Sequence, residues 1–260
     1  MMKRIASLMT AAVLMGACLT ACGVPENTVH SVEDLEGKTI ACQLGTTGYI
    51  FAGDITGATV EGYNKGADAI QALAQGKADA VIIDSEPAKV FVAKNNQLTI
   101  LDEPFAEEDY AIAYKKGNTE LGDKINAALD ELQADGTLDT ITAHWIGDEA
   151  DQVSYTPDAT VARSNGKLVM ATNATFPPYE STAGGKVVGI DPDMMQAVCD
   201  KLGMELEIQD MEFDNILPSV AAGDADVGVA GLTITEERLK NVDFSDSYAD
   251  STQVIVVRAK

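Results

Sequence analysis

Histidine is almost missing from this 260-residue chain: His30 and His144 are the only two, far apart and without ligand spacing. No metal site of the histidine type is expected, nor a catalytic histidine in a motif. Basic residues are scarce too. Eighteen Lys and Arg face 41 Asp and Glu, giving a net charge of −23. Such a surface repels nucleic acid and anionic lipid headgroups, so nucleic acid is not expected as a partner. The four cysteines do not form a framework. Cys18 and Cys22 lie at the extreme N-terminus. Cys42 sits in a strand-like run (KTIACQLG) and Cys199 in a helix-like one (DMMQAVCDKLG). Both read as small buried apolar residues, and no disulfide is expected. Beyond the first twenty-odd residues no window approaches the ~20 apolar residues of a membrane span. No cofactor-binding motif is present, and no cofactor is expected.

What is present begins with an export signal. Lys3 and Arg4 precede an apolar run from Ile5 to Leu19, and Leu19-Thr20-Ala21-Cys22-Gly23 follows. The run is too short for a spanning helix and has the plan of a secretory leader. Its end resembles a bacterial lipobox. Residues 1–21 are therefore expected to be removed, leaving Cys22 to carry lipid and residues 22–28 to form a tether. The membrane is expected to be a partner only through that anchor.

The remainder alternates short apolar runs with helical ones, which argues for α/β sheets with crossover connections. Strands are expected at 39–43, 80–83, 98–101, 110–114, 168–172, 205–209, 227–230 and 253–257. Helices are expected at 67–75, 86–94, 119–134, 138–145, 192–202 and 213–222. Residues 147–166 are polar, acidic and aperiodic, and read as a linker. A weak internal repeat aligns Ala69–Asp84 with Ile216–Gly231, matching Gly76 with Gly223 and Asp79 with Asp226. Two related lobes would place the equivalent strand ends, Asp84 and Gly231, at a shared cleft, where open α/β sheets bind ligands.

Three segments could carry chemistry. In Gly231-Leu232-Thr233-Ile234-Thr235-Glu236-Glu237-Arg238, Thr233 and Glu236 have capping-box spacing, with Arg238 in the first turns of a following helix. Helix-start N–H groups and a guanidinium together make a carboxylate site; a capped surface helix with a solvated Arg fits the same residues. Gly45-Thr46-Thr47-Gly48 follows a buried strand and precedes a short helical run, and can offer backbone and hydroxyl donors. It lacks the Gly-Lys-Ser/Thr ending of a phosphate loop. Asp84 closes the apolar run Ala-Val-Ile-Ile and needs a partner, either a ligand ammonium or a helix N-terminus that it caps. Phe176, Tyr179 and Phe213 are aromatics that could wall a pocket or fill a core.

Together, ATNATFPPYE, GKVVGIDPDMMQAVCDKLG, FDNILPSVAAGDADVGVAGLTITEERLKNVDFSDSY, GKTIACQLGTTG, GKADAVIID and LGDKINAALDELQADGTLDTITAHWIG resemble the polar-amino-acid family of periplasmic (type II) solute-binding proteins. The resemblance covers nearly all of the chain beyond the leader. It implies a two-lobed α/β type II periplasmic-binding-protein fold with a hinge. The family's usual order starts with the ATNATFPPYE segment and ends with the HWIG segment, so this chain looks circularly permuted, with its ends in a small-lobe loop. The expected small lobe is residues 29–106 plus 253–257. The large lobe is 110–252, linker included, and the hinge is at 107–109 and 251–252. The implied function is capture of an L-amino acid outside the cell for an ABC permease and ATPase. A sensory or chemotaxis receptor, or a dehydratase or transglycosylase relative on the same fold, is the alternative; no enzymatic activity is expected. Carried over by position, Arg238 would clamp the ligand carboxylate with Thr233, Thr46 and Thr47. Asp84 and the Gly231 carbonyl would take the ammonium. Phe176, Phe213 and Tyr179 would form aromatic walls. Asn173 stands where several members have Asp, and Gln43 where a Lys can occur. Both departures favour a polar, uncharged ligand side chain, with Glu180 the nearest other acid in sequence. The linker, at roughly twenty residues, can reach closure within one chain, so a monomer is expected.

Overall fold

Parallel strands buried on both faces need continuous apolar runs, and β1 (Thr39–Gln43) and β3 (Ala80–Asp84) supply them. In the computed structural model, which describes residues 24–259, these strands pair in parallel, with β2 (Thr59–Tyr63) on the outer side of β1. Helices α1 (Thr47–Gly53), α2 (Gly66–Ala74) and α3 (Ser85–Ala93) connect and cover them. A long strand, β4 (Leu98–Lys115), then leaves this half of the sheet, and α4 (Thr119–Ala134) and α5 (Thr137–Trp145) follow. The second half repeats the plan. It holds β5 (Lys167–Thr172), a small meander of β6 (Thr175–Phe176), β7 (Glu180–Ala183) and β8 (Lys186–Val188), then α6 (Ile190–Leu202), β9 (Glu205–Asp210), α7 (Phe213–Ala222) and β10 (Val227–Gly228). A second long strand, β11 (Val242–Arg258), returns the chain to the first half.

The eight-stranded sheet runs β2-β1-β3-β11-β4-β10-β5-β9. Its centre is the antiparallel ribbon of β4 and β11, which joins the two parallel halves. Through Gln253–Val256, β11 pairs with β3, while β4 pairs with β10 at Ala113 and Tyr114. Between these ends the ribbon alone connects the halves. There Glu107 faces Thr252, Glu108 faces Ser251 and Asp109 faces Asp250. Expected strands 98–101 and 110–114 are thus one strand, and 253–257 is the tail of another.

The internal repeat is visible in the geometry. Asp79 donates its N–H to the Thr39 carbonyl (2.8 Å) and accepts the Thr39 N–H on its carboxylate (3.0 Å). Asp226 does the same for Val169, at 2.9 and 2.8 Å. Each aspartate follows a left-handed glycine, Gly76 or Gly223, that ends a helix. The two halves are therefore the same β–α–β unit, and Asp84 and Gly231 occupy equivalent strand exits.

Two segments are more firmly held than sequence suggests. Val29 is fully buried against Leu35, Ile40 and Ile255. Arg258 donates to the Pro25 carbonyl (2.8 Å), so the beginning and end of the fold meet. The linker lies along α6, where Asp200 accepts from the Asp158 N–H (2.7 Å) and the Tyr155 hydroxyl (3.2 Å) and pairs with Arg163. Cys42 and Cys199 are buried free thiols, each pushed up to about 12 by burial. Cys22 and the leader lie outside the described residues. Among the described residues no helix is long and apolar enough to cross a membrane, and no His, Cys, Asp and Glu cluster could hold a metal.

Candidate functional site

A cavity lies where the two halves face each other beside the ribbon. Its own side chains nearly fill it, leaving room for no more than about one water. The first half contributes Gln43, Thr46, Thr47 and Asp84; the second contributes Asn173, Phe176, Phe213, Ala230, Gly231 and Arg238. Each comes from the end of a strand or the start of the helix after it. Gln43 ends β1, Thr46 caps α1, and Asp84 ends β3. Asn173 follows β5, and Phe213 opens α7. Ala230 and Gly231 follow β10.

Arg238 is only 7% exposed. Its guanidinium donates to the Thr233 carbonyl (2.7 Å) in its own half and to the Gly45 carbonyl (3.1 Å) in the other, and it lies over the Phe213 ring at 5.8 Å. Burial pulls the guanidinium down from its ordinary value, and the nearby acids Glu108 and Asp84 oppose that pull. Two guanidinium donors thus already point at acceptors, in a site dry enough for such bonds to be strong. The expected capping box and helix start are absent. Residues 238–240 form a single 3₁₀ turn without a side-chain cap, and the Arg238 N–H instead donates to the Thr235 hydroxyl at 3.2 Å. Thr233 does not line the cavity; its carbonyl holds Arg238, and its backbone bridges to Tyr110.

Asp84 stands at the N-cap position of α3, but its side chain makes no capping bond. It is 6% exposed, and no donor among the described residues reaches its Oδ1. Burial, the largest cause, and then Glu108 push its acid well above the ordinary range. Of the two readings left open by sequence, the geometry removes the cap and leaves a carboxyl facing the cavity.

The halves also touch directly. Gln43 Nε2 donates to Asn173 Oδ1 (2.9 Å) and to the Asn64 carbonyl (3.1 Å), while Asn173 Nδ2 donates to the Met211 carbonyl (2.7 Å). This buried amide pair latches the cleft. Gln43→Ala removes the bond across the cleft and is expected to cost about 1–2 kcal/mol of closure, roughly five- to thirtyfold in affinity. Isothermal titration of the wild type and the variant checks this.

Tyr179 does not line the cavity. It backs Phe176 at 6.0 Å and meets the Tyr110 ring edge-on at 5.1 Å. Glu180 is fully buried beside Asp191, also away from the cavity. Asp191 ties the cavity wall to the ribbon: it accepts the Gly231 N–H (3.1 Å) and the Tyr248 hydroxyl (2.9 Å). Burial raises it to about 6. Ala230, Asp191 and Glu108 were not singled out from sequence. Glu108 had a signal: stepping back by twos from Tyr114 through Ile112 and Tyr110 lands on it, on the buried face of the strand.

With this geometry in place, comparison with known proteins identifies the family. The profile of bacterial extracellular solute-binding proteins, family 3, matches residues 59–148 and 168–260, well over half the chain. The chain belongs to this family. The arginine-binding extracellular protein ArtP of Bacillus subtilis (strain 168) is 39% identical over 90 residues, 35% of each chain. The probable histidine-binding protein of Neisseria gonorrhoeae is 39% identical over 101 residues, 38% of each. The L-cystine-binding protein TcyJ of Escherichia coli (strain K12) is 32% identical over 124 residues, 47% of each. The chain therefore spans between about a third and a half of the curated relatives it matches. Among solved structures, an ancestral arginine-binding protein bound to arginine is 50% identical, with 31% of this chain and 36% of that chain covered and a TM-score of 0.31. The fold is the mixed α/β type II binding-protein class, and the family is one of extracellular binding proteins.

Proposed function

We propose that this chain is an extracytoplasmic receptor that captures an L-amino acid between its two halves and delivers it to an ABC importer. The observation that carries this reading is the convergence of Arg238 from one half and Asp84 from the other on one aromatic-walled cavity. A guanidinium and a carboxyl placed oppositely match the two charges common to all α-amino acids. Thr46, Thr47 and Gly231 complete the grip with hydroxyls and backbone groups. The lobes are residues 29–106 with 253–257, and 110–252. The paired segments 107–109 and 251–252 are the hinge, since only the ribbon crosses there. The order of the halves is a circular permutation of the family's usual one. It is supported by the family profile matching in two blocks on either side of the linker, and by the meeting of Pro25 and Arg258. Cys22 is the lipid attachment site, and the protein works as a monomer held at the outer face of the membrane.

The ligand's side chain is polar. The relatives named above bind arginine, histidine and cystine. Here the amides of Gln43 and Asn173 stand at the cavity wall, which favours an uncharged polar side chain. A cationic side chain is the second reading, because two buried acids, Asp84 and Glu108, lie near the one buried guanidinium of the site, Arg238. Titration against the twenty L-amino acids separates the readings. L-Glutamine is expected to bind within tenfold of L-arginine or tighter, and a tenfold preference for arginine or lysine reverses the order. The 2-oxo acid matching the tightest amino acid should lose most of its binding; undiminished binding would refute Asp84 as the ammonium site.

A further inference from the structure

A hydroxyl has one proton to give and two lone pairs to receive with, so its protein partners decide what it can offer a ligand. Thr46 and Thr47 bring hydroxyls to the cavity. Thr46 donates to the Gln43 carbonyl (2.8 Å) and accepts from the Tyr49 N–H (3.2 Å). Thr47 donates to the Glu108 carboxylate and accepts from Gln253 Nε2 (2.8 Å). Both protons are therefore spent within the protein. Neither hydroxyl is left as a donor for a ligand carboxylate, the duty that the family resemblance assigns to these threonines beside Arg238.

The ribbon fixes both partners of Thr47. Glu108 lies on β4 and faces Ser251 of β11, and Gln253, two residues further along β11, pairs with Asp84 of β3. Thr47, Glu108 and Gln253 are all buried. The first turn of α1 hems in the Gln253 amide: a Cβ on Gly48 would stand 2.9 Å from its Oε1 and 3.3 Å from its Nε2. A carboxylate only accepts, so Glu108 takes the Thr47 proton, and the Gln253 group that meets Thr47 must then be its N–H. One lone pair remains on the Thr47 oxygen. A ligand group can meet that oxygen only as a donor. Of the two charged ends of an amino acid, the ammonium donates and the carboxylate only accepts. The pairing of Gln253 with Asp84 also places Asp84 on the neighbouring strand position.

We propose that the Thr47 hydroxyl is an acceptor for the ligand ammonium, beside Asp84, and that Glu108 is the positioning residue that makes it one. This rests on the amino-acid-receptor reading and redraws its contacts. The charged grip on the carboxylate belongs to Arg238, while the ammonium meets a carboxyl and a hydroxyl whose own proton points away. Such a hydroxyl also sets the direction in which the ligand lies. A reversed ligand would turn its carboxylate on Thr47 and Asp84 together, oxygen against oxygen with no hydrogen between, which costs affinity. Glu108 thus acts on the ligand through Thr47, from a strand of the hinge.

The test starts from calorimetric titration of the full extracytoplasmic chain against the twenty L-amino acids, carrying forward the one that binds tightest. Thr47→Val keeps the shape of the side chain and removes the hydroxyl. It is expected to lower affinity by roughly ten- to a hundredfold, as for a hydrogen bond to a charged group, while Thr47→Ser stays within about threefold. Glu108→Leu is expected to lose at least about fivefold alone, yet to add less than about threefold in the Thr47→Val background, because it acts through that hydroxyl. Additive losses would mean that Glu108 works independently of Thr47 and would overturn its role, as would unchanged binding in Thr47→Val. Crystals of the wild type with the same amino acid decide the assignment even where a variant fails to fold. The ligand nitrogen is expected within hydrogen-bonding distance of Thr47 Oγ1; a carboxylate oxygen there, or no ligand atom at all, overturns the proposal. If no amino acid binds the wild type, the receptor reading itself fails; if one binds with its carboxylate on Thr47, only the polarity of this hydroxyl fails.

Discussion

Arg238→Ala is expected to lower affinity for the cognate amino acid by roughly 30- to 5,000-fold, about 2–5 kcal/mol, because it leaves a buried carboxylate without its charged partner. The guanidinium is held in place before any ligand arrives. Its bonds to the Thr233 and Gly45 carbonyls fix it between the halves, so little ordering remains to oppose binding. The same bonds make the substitution felt in closure, since the contact with Gly45 crosses the cleft. Titration calorimetry checks the loss. A change below tenfold would remove Arg238 from the carboxylate site, and the reading of the 231–238 segment with it.

Gly189→Ala is expected to destabilise the fold by about 4 kcal/mol, lowering the melting midpoint by on the order of 10 °C. Gly189 has φ +139°, and an added Cβ would lie 2.1 Å from the Tyr179 carbonyl oxygen and 2.6 Å from its carbon. That approach is built in. The first N–H groups of α6 donate back to Pro178 and Tyr179, through Ile190 (3.2 Å) and Asp191 (3.0 Å). A methyl group there must push the Phe176–Tyr179 turn away from α6, taking a wall of the cavity with it. Gly184→Ala is the control. It is also left-handed, at φ +57°, but nothing lies within 4 Å of the added carbon, so a cost of about 1 kcal/mol is expected. Thermal melts of both variants check the contrast; equal losses would show that φ alone, not the backbone contact, sets the cost.

Much of this architecture could be read from the chain. The helices 119–134 and 213–222 fall where their apolar period places them, because each packs one stripe on the sheet. The repeat was legible because a left-handed Gly and a strand-tying Asp are needed wherever this β–α–β unit turns. Gln43, Asp84, Asn173 and Arg238 lie far apart in sequence, yet the fold brings them to one cavity. What escaped has physical causes. The ribbon reads in sequence as separate short strands because Asp102, Glu103 and Pro104 are exposed and carry no apolar period. β2 was missed because, at the edge of the sheet, it buries almost nothing. Glu108 is hidden in sequence within a run of acids; only the strand's alternation separates it from exposed Glu107 and Asp109. The capping-box spacing at Thr233 and Glu236 misled because local pattern was overridden by the buried guanidinium, whose bond to the Thr233 carbonyl shapes the loop.

The most direct test of the account is a crystal structure of the protein with the L-amino acid that binds it tightest. One molecule is expected between the halves, its carboxylate on the Arg238 guanidinium, its ammonium on Asp84 and its side chain between Phe176 and Phe213. A ligand bound elsewhere, or one lying in the cleft with its ammonium away from Asp84 and its carboxylate off Arg238, would contradict it.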